Sequence, residues 1–189
     1  MSEHLTDDEK KTLLHLAREA LEHGVRRQVL PPLDQSVLTP ILRAEGASFV
    51  TLTKNAQLRG CIGSLEPHQP LADDVRERAI QAALEDYRFP PVQTAELSKI
   101  EIEVSRLTQP TALGYASAED LLLKLHPGLD GVILHDGIRR ATFLPQVWQN
   151  IPEKAEFLSQ LCAKMNAPRD LWRRKHLDVF VYQVEEFHE

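Results

Sequence analysis

Leu58-Arg59-Gly60-Cys61-Ile62-Gly63-Ser64 is the stretch from which the rest of the chain is read. It places a guanidinium, a thiol, a hydroxyl and two glycines within seven residues. Gly60 and Gly63 admit backbone angles closed to other residues and let another chain or a ligand come close, so neighbouring side chains can be aimed unusually. Upstream, Phe49-Val50-Thr51-Leu52-Thr53 has the composition of a strand, and Lys54-Asn55-Ala56-Gln57 can turn the chain back into Leu58. The pattern predicts a hairpin over 47–62 with Cys61 near the end of its second strand. In a regular strand Arg59 and Cys61 share a face, so the guanidinium can approach the thiol and favour its thiolate. A thiol in that setting is a candidate nucleophile. The alternative is a cysteine enclosed as structure, since free cysteine is among the most buried residue types.

The motif resembles the signature of the AMMECR domain family, whose prokaryotic members are called AmmeMemoRadiSam system protein A. Two further blocks fit in the same order: Glu85-Asp86-Tyr87-Arg88-Phe89-Pro90-Pro91 and Asp136-Gly137-Ile138-Arg139-Arg140-Ala141-Thr142-Phe143-Leu144-Pro145-Gln146-Val147-Trp148. The resemblance runs from about Leu13 to Glu189. Tyr87 stands where the family usually has proline, and Ser64, which keeps the hydroxyl, stands where threonine is common. The resemblance implies that the motif residues line one cleft, bringing Arg59, Cys61, Asp86 and Arg88 together. Its name further implies an association with Memo-like and radical-SAM proteins. A fold does not dictate chemistry, so the site is argued from its residues.

Outward from the hairpin, Thr6 with Glu9 reads as a capping box, opening a helix whose stripe of Leu13, Leu14, Ala17, Ala20 and Leu21 ends before Gly24. Residues 25–43 contain Pro31, Pro32 and Pro40 and admit only short pieces. Gly63–Gln69 reads as a loop, and Pro70 opens a second helix with Asp73 and Asp74 in its first turn and Leu71, Val75, Ala79, Ala82 and Ala83 on its buried face. That helix stops at the Arg88-Phe89-Pro90-Pro91 block. Ile100, Ile102 and Val104 alternate with Glu101, Glu103 and Ser105, the period of a strand with one wet face. Ser117 and Asp120 cap a helix reaching Leu125. Val132–Leu134 and Arg140–Leu144 flank a hairpin signal at Asp136-Gly137, where the intervening residues allow a tight turn or a longer loop, and Phe157, Leu158, Leu161, Cys162 and Met165 recur at helical spacing. A last strand, 178–185, is apolar on both faces and is expected inside a sheet. The fold class predicted is α+β, a mainly antiparallel sheet flanked by helices. The expected organisation is a single domain, 1–189, with a smaller lobe within roughly 108–170 and a cleft between lobes.

At 189 residues and 42% hydrophobic the chain is long enough to bury a full core. A net charge of -6 counts against a general nucleic-acid binder. No apolar run approaches the roughly 20 residues of a membrane span, and the acidic, amphipathic start is unlike a signal peptide, so a cytoplasmic protein is expected. Cys61 and Cys162 lie far apart and are read as free thiols, Cys162 on the apolar stripe of a helix.

Asp86 and Arg88 leave a helix and enter a Pro-Pro turn. They suit either a carboxylate for proton transfer beside a cation for an anion, or a salt-bridged helix terminus. Arg139 and Arg140 fit a carboxylate or phosphate site, or plain exposed charge. Glu66 and His68 follow the motif, but Cys61 and His68 have no recognised ligand spacing. The sequence lacks HxH, HExxH, CxxC, a Walker loop, GxGxxG and GxSxG, so neither metal nor cofactor is expected. With two cysteines far apart, the chain cannot itself host a radical-SAM cluster, which takes three closely spaced ones. Two functions remain. One is an enzyme or enzyme subunit in which Cys61 attacks a small anionic or acyl substrate, Arg59 activates it, Asp86 moves a proton, and Gly60, Gly63, Ser64 and Arg88 hold the substrate. The other is a binding or scaffold protein that uses the same cleft as a ligand or protein interface.

Overall fold

Strand β1 (Glu45–Lys54) and strand β2 (Gln57–Gly63) pair antiparallel across the two-residue turn Asn55-Ala56, whose φ angles are both positive, 52° and 59°. Two positive φ angles make the I′ pattern, whose twist matches that of the flanking strands. Asn55 tolerates the left-handed region; Ala56 is held there against the clash of its Cβ. The register sets Thr51 opposite Cys61, Leu52 opposite Gly60 and Thr53 opposite Leu58, which leaves Arg59 as the extra residue of a β-bulge.

The computed structural model describes residues 4–189, and the chain divides into two units: one runs to Thr108 and takes in Glu185–Glu189, the other is Gln109–Val184. In the first unit, helix α1 (Asp7–Arg26) opens on the predicted box, with Thr6 N donating to Glu9 Oε2 at 2.7 Å. It runs past Gly24 and ends at Arg27, which takes the left-handed cap position at φ 55°. Gly24 serves close packing instead, since a Cβ there would lie 3.1 Å from Ile80. A single turn, α2 (Pro40–Arg43), precedes β1. The short strand β3 (Gln69–Pro70) pairs with the beginning of β1 and leads into helix α3 (Leu71–Leu84). After a 3₁₀ turn over Thr94–Lys99, strand β4 (Ile100–Leu107) lies antiparallel to β1 on the side away from β2.

One face of this sheet carries the core. Val50 and Leu52 of β1 and Ile102 and Val104 of β4 are buried with Leu13, Ala17, Ala20 and Leu21 of α1 and Val75, Ala79, Ala82 and Ala83 of α3. Every apolar position assigned to the α3 face from spacing is buried. Four alanines on α3 keep that helix thin on its sheet side, so its backbone can come close to β2.

In the second unit a two-residue strand β5 (Thr111–Ala112) and helix α4 (Ala118–Lys124, capped by Ser117 Oγ on Asp120 N at 3.2 Å) come first. Strands β6 (Gly131–Asp136) and β7 (Arg139–Phe143) then join through Gly137-Ile138, the tight two-residue option, with φ positive only at Gly137. Helices α5 (Lys154–Lys164) and α6 (Leu171–Arg174) follow, and strand β8 (Asp178–Tyr182) lies between β5 and β6. The unit has its own core, in which Trp148 stacks on Phe157 at 3.6 Å.

The predicted strand over 178–185 is two strands. β8 ends at Tyr182, and β9 (Val184–His188) joins the sheet of the first unit beside β4, at its edge. Only the β8 half lies inside a sheet. The apolar alternation records which faces are covered; it carries no mark of the residue, Gln183, at which the chain changes sheets. Both sheets are antiparallel in every pairing of β1 to β8, the α+β architecture expected. Among the described residues no helix is long and apolar enough to cross a membrane.

Ala56→Gly relieves the left-handed strain without removing a contact of the I′ turn, and is expected to raise stability by about 1 kcal/mol, read as a higher denaturant midpoint at unchanged slope.

Candidate functional site

The site is built where α3 crosses β2. An added Cβ on Gly60 would lie 2.0 Å from the carbonyl oxygen of Ala82, so glycine is the residue that lets the helix backbone reach the strand. Gly63 is confined in the same way: a Cβ there would lie 2.3 Å from Phe49 and 2.5 Å from the Ser48 carbonyl. The space beside both glycines is filled by the protein's own helix and strand.

Because α3 lies on β2, the chain leaving its end arrives at Cys61. Asp86 to Phe89 form a turn closed by Phe89 N on Asp86 O at 3.0 Å and by Arg88 N on Asp86 Oδ1 at 3.1 Å. Tyr87 takes the second position of that turn, where proline is favoured, and points into solvent. Asp86 is buried, and its Oδ2 accepts from Cys61 N at 2.8 Å. Arg88 donates from Nε to Asp86 Oδ1 at 2.9 Å, from Nη2 to Asp86 Oδ2 at 2.6 Å, and from Nη2 to the Cys61 carbonyl at 3.1 Å. One carboxylate and one guanidinium thus satisfy both backbone groups of Cys61 on the side of β2 away from β1. They do there what a neighbouring strand would do.

The hydrogen bonds from Arg88 hold the Asp86 carboxyl far below the usual carboxylate range, with the Cys61 N–H adding to them and burial opposing. The same pairing pushes the Arg88 guanidinium further up. An acid so strongly ionised is a poor proton donor or acceptor near neutral pH.

Arg59 goes elsewhere. Its Nε and Nη2 donate to Glu96 Oε1 at 3.2 Å and Oε2 at 3.1 Å, and Lys54 Nζ donates to Oε1 at 2.7 Å. The two cations, Arg59 first, and the backbone N–H of Gln93 hold the Glu96 carboxyl at about 2. The bulge gives the reason. With Arg59 as the inserted residue, the strict alternation that places it on the face of Cys61 no longer holds, and its guanidinium is committed to the 3₁₀ turn after α3.

Cys61 itself is half-buried, and Thr51, directly opposite, donates from its hydroxyl to Sγ at 3.2 Å. Among the described residues no histidine or carboxylate is hydrogen-bonded to the thiol, so the nucleophile-base contact that marks an activated cysteine is absent from this geometry. Ser64 donates from N to the Ser48 carbonyl at 3.0 Å and from Oγ to the Glu66 carbonyl at 3.2 Å, which shapes the loop. The structure therefore brings Cys61, Asp86 and Arg88 into one bonded group, with Gly60 and Gly63 as its close-packed floor and Arg59 on a separate ion cluster.

Cys162 is fully buried and burial pushes its thiol up, in keeping with a core role. In the second unit Arg139 pairs with the buried Asp136, which Lys175 also holds at 2.5 Å; the carboxyl is lowered by Lys175 and then Arg139. Arg139 thus closes its own hairpin.

Sequence reasoning missed Glu96, Thr51 and the buried Asp74. The spacing Gln93-Thr94-Ala95-Glu96 is a capping pattern that would have shown the first. Asp74 reads as a helix-start charge, yet it is fully buried and accepts from Ser48 N at 2.9 Å and Ser48 Oγ at 2.7 Å, with Arg78 at 3.1 Å. It ties the start of α3 to β1 as Asp86 ties its end to β2.

The AMMECR1 family model matches residues 14–187. A protein of Methanothermobacter thermautotrophicus is 40% identical, over 98% of this chain and 96% of its own length. Another, of Methanopyrus kandleri, is 37% identical, over 100% of this chain and 92% of its own. The crystal structure of an uncharacterised protein from Pyrococcus horikoshii superposes with a TM-score of 0.75 at 34% identity, covering 98% of this chain and 93% of that one.

Gly60→Ala must drive the helix off the strand, and is expected to lower stability by about 3 kcal/mol or more in denaturant unfolding. Glu96 is depressed in the folded state, so its contribution is complete above its ordinary value of 4.5 and is lost as pH falls toward 2. Glu96→Gln is expected to be less stable at neutral pH and to show a shallower fall in thermal midpoint across that acid window.

Proposed function

The chain belongs to the AMMECR1 family, and on that premise we propose that the corner formed by Cys61, Asp86 and Arg88 is a binding surface rather than a set of acid-base groups. The observation that carries this reading is the pairing of its charges: Asp86 is locked in its ionised form by Arg88, while Arg59, outside the corner, pairs with Glu96 through Nε and Nη2 and leaves only its buried Nη1 without a hydrogen-bond partner. What faces outward is a rigid turn bearing Tyr87, 94% exposed, and Arg88, whose side chain is 43% exposed, beside a half-buried thiol. An exposed tyrosine next to an arginine already held in place is the residue pair that interfaces favour, because little entropy is lost when it docks. By the family resemblance, the partners are Memo-like and radical-SAM proteins, met in the cytoplasm.

A second reading is supported by the partial exposure of Cys61 and its hydrogen bond from Thr51: a thiol enzyme, or a subunit of one, acting on a small anionic or acyl substrate held by Arg88.

Capture of the Memo-like and radical-SAM proteins from the same organism tests the first reading. Tyr87→Ala, which removes no buried contact, is expected to leave stability unchanged and to weaken capture about tenfold or more. Equal capture by the variant and the wild type, or none by either, would contradict the interface. Cys61→Ser separates the second reading, since a binding surface predicts full complementation of a deletion strain and a thiol enzyme predicts none. In alkylation of the folded protein Cys61 is expected to label and Cys162 to label only on unfolding.

A further inference from the structure

A concavity of about 350 Å³ opens in the second unit between the start of α4 and the segment that leaves α6. That volume suits a small metabolite. Its wall carries Arg173, Arg174, Lys175 and His176 in succession, in a chain whose net charge is -6. One carboxylate, Glu119, faces them from the α4 side. Arg174 pairs with Asp170 and Lys175 with Asp136, whereas Arg173 has no ion pair among the described residues and lies over the Trp172 ring at 4.4 Å. Glu119 sits below the ordinary carboxylate range because its own backbone N–H and the Ser117 hydroxyl donate to it, with the Arg173 charge adding to them.

The wall is rigid where it matters. Trp172 is buried and donates from Nε1 to Ser159 Oγ at 3.1 Å, which fixes the ring beneath Arg173. Tyr115 is clamped through its hydroxyl, which accepts from Leu177 N at 2.7 Å and donates to Leu177 O at 3.0 Å. The His176 ring stacks on Tyr115 at 4.2 Å and 17°. The cavity therefore combines one positioned cation, Arg173, with a flat aromatic plane. Arg173 differs from its neighbours: it lines the cavity beside the fixed aromatic stack and carries no ion pair among the described residues.

We propose that this cavity is a binding site for a small phosphate monoester bearing a planar base, with Arg173 holding the phosphate and the Tyr115–His176 stack facing the base. Arg173 is the principal phosphate ligand, since its guanidinium is already positioned over Trp172 and has no competing carboxylate bonded to it. This site is independent of the Cys61 corner and of the partner reading given for it.

Calorimetric titration of the full chain with adenosine monophosphate at low salt, with adenosine as the uncharged control, tests the proposal, and amide shift mapping locates the contact. The expected result is saturable binding of the nucleotide with shifts confined to 115–119 and 172–176, and no heat from adenosine. The Arg173→Gln chain is expected to fold as the wild type, because that side chain is exposed, and to bind about tenfold more weakly or worse. Absence of nucleotide binding, equal binding of adenosine, or undiminished binding by the folded Arg173→Gln variant would each overturn the site.

Discussion

The close approach of α3 to β2 at Gly60 is the constraint on which the rest of the site depends. A helix backbone carbonyl occupies the volume in which any other residue would carry a Cβ, so the glycine fixes how near the helix lies. Two carboxylates then fix its position along the strand: Asp74 near the start binds Ser48 on β1, and Asp86 just past the end binds Cys61 on β2. Both are buried and both are bonded to a backbone N–H and an arginine, the arrangement under which burial of a charge is tolerated. The backbone of Cys61 is held in this frame by Asp86 and Arg88.

That arrangement changes what the motif means. Read alone, a thiol between glycines beside an arginine looks like a reactive centre. In the folded chain the glycines serve the helix and the strand, the arginine inside the motif serves Glu96, and the arginine from the next block completes an open sheet edge. A carboxylate and a guanidinium bonded to one residue's N–H and C=O replace a missing strand, and the edge is blunted at Cys61. The groups left facing solvent are Tyr87, part of Arg88 and part of the thiol.

Much of this was legible in the sequence. The strand composition of 49–53, the alternation at 100–105, the stripe on α3 and the caps at Thr6 and Ser117 each follow from a short-range rule, and each element forms where the rule puts it. The meeting of Asp86 and Arg88 with Cys61 came from the family resemblance and not from spacing, because 25 residues separate Asp86 from Cys61. What could not be read was set by long-range geometry. The bulge at Arg59 depends on the register with β1, the burial of Asp74 on where α3 lies, and the division of the final strand on which sheet has an open edge. Each reverses a local expectation without leaving a local mark.

Amide hydrogen exchange at Cys61, followed by NMR, tests the central claim that Asp86 holds the edge of β2. The account predicts that Cys61 N–H is protected in the native chain to the level of Ile62, which is paired with Val50 inside the hairpin. In Asp86→Ala it should exchange freely while Ile62 stays protected. Rapid exchange of Cys61 in the native chain, or equal protection in the variant, would contradict it.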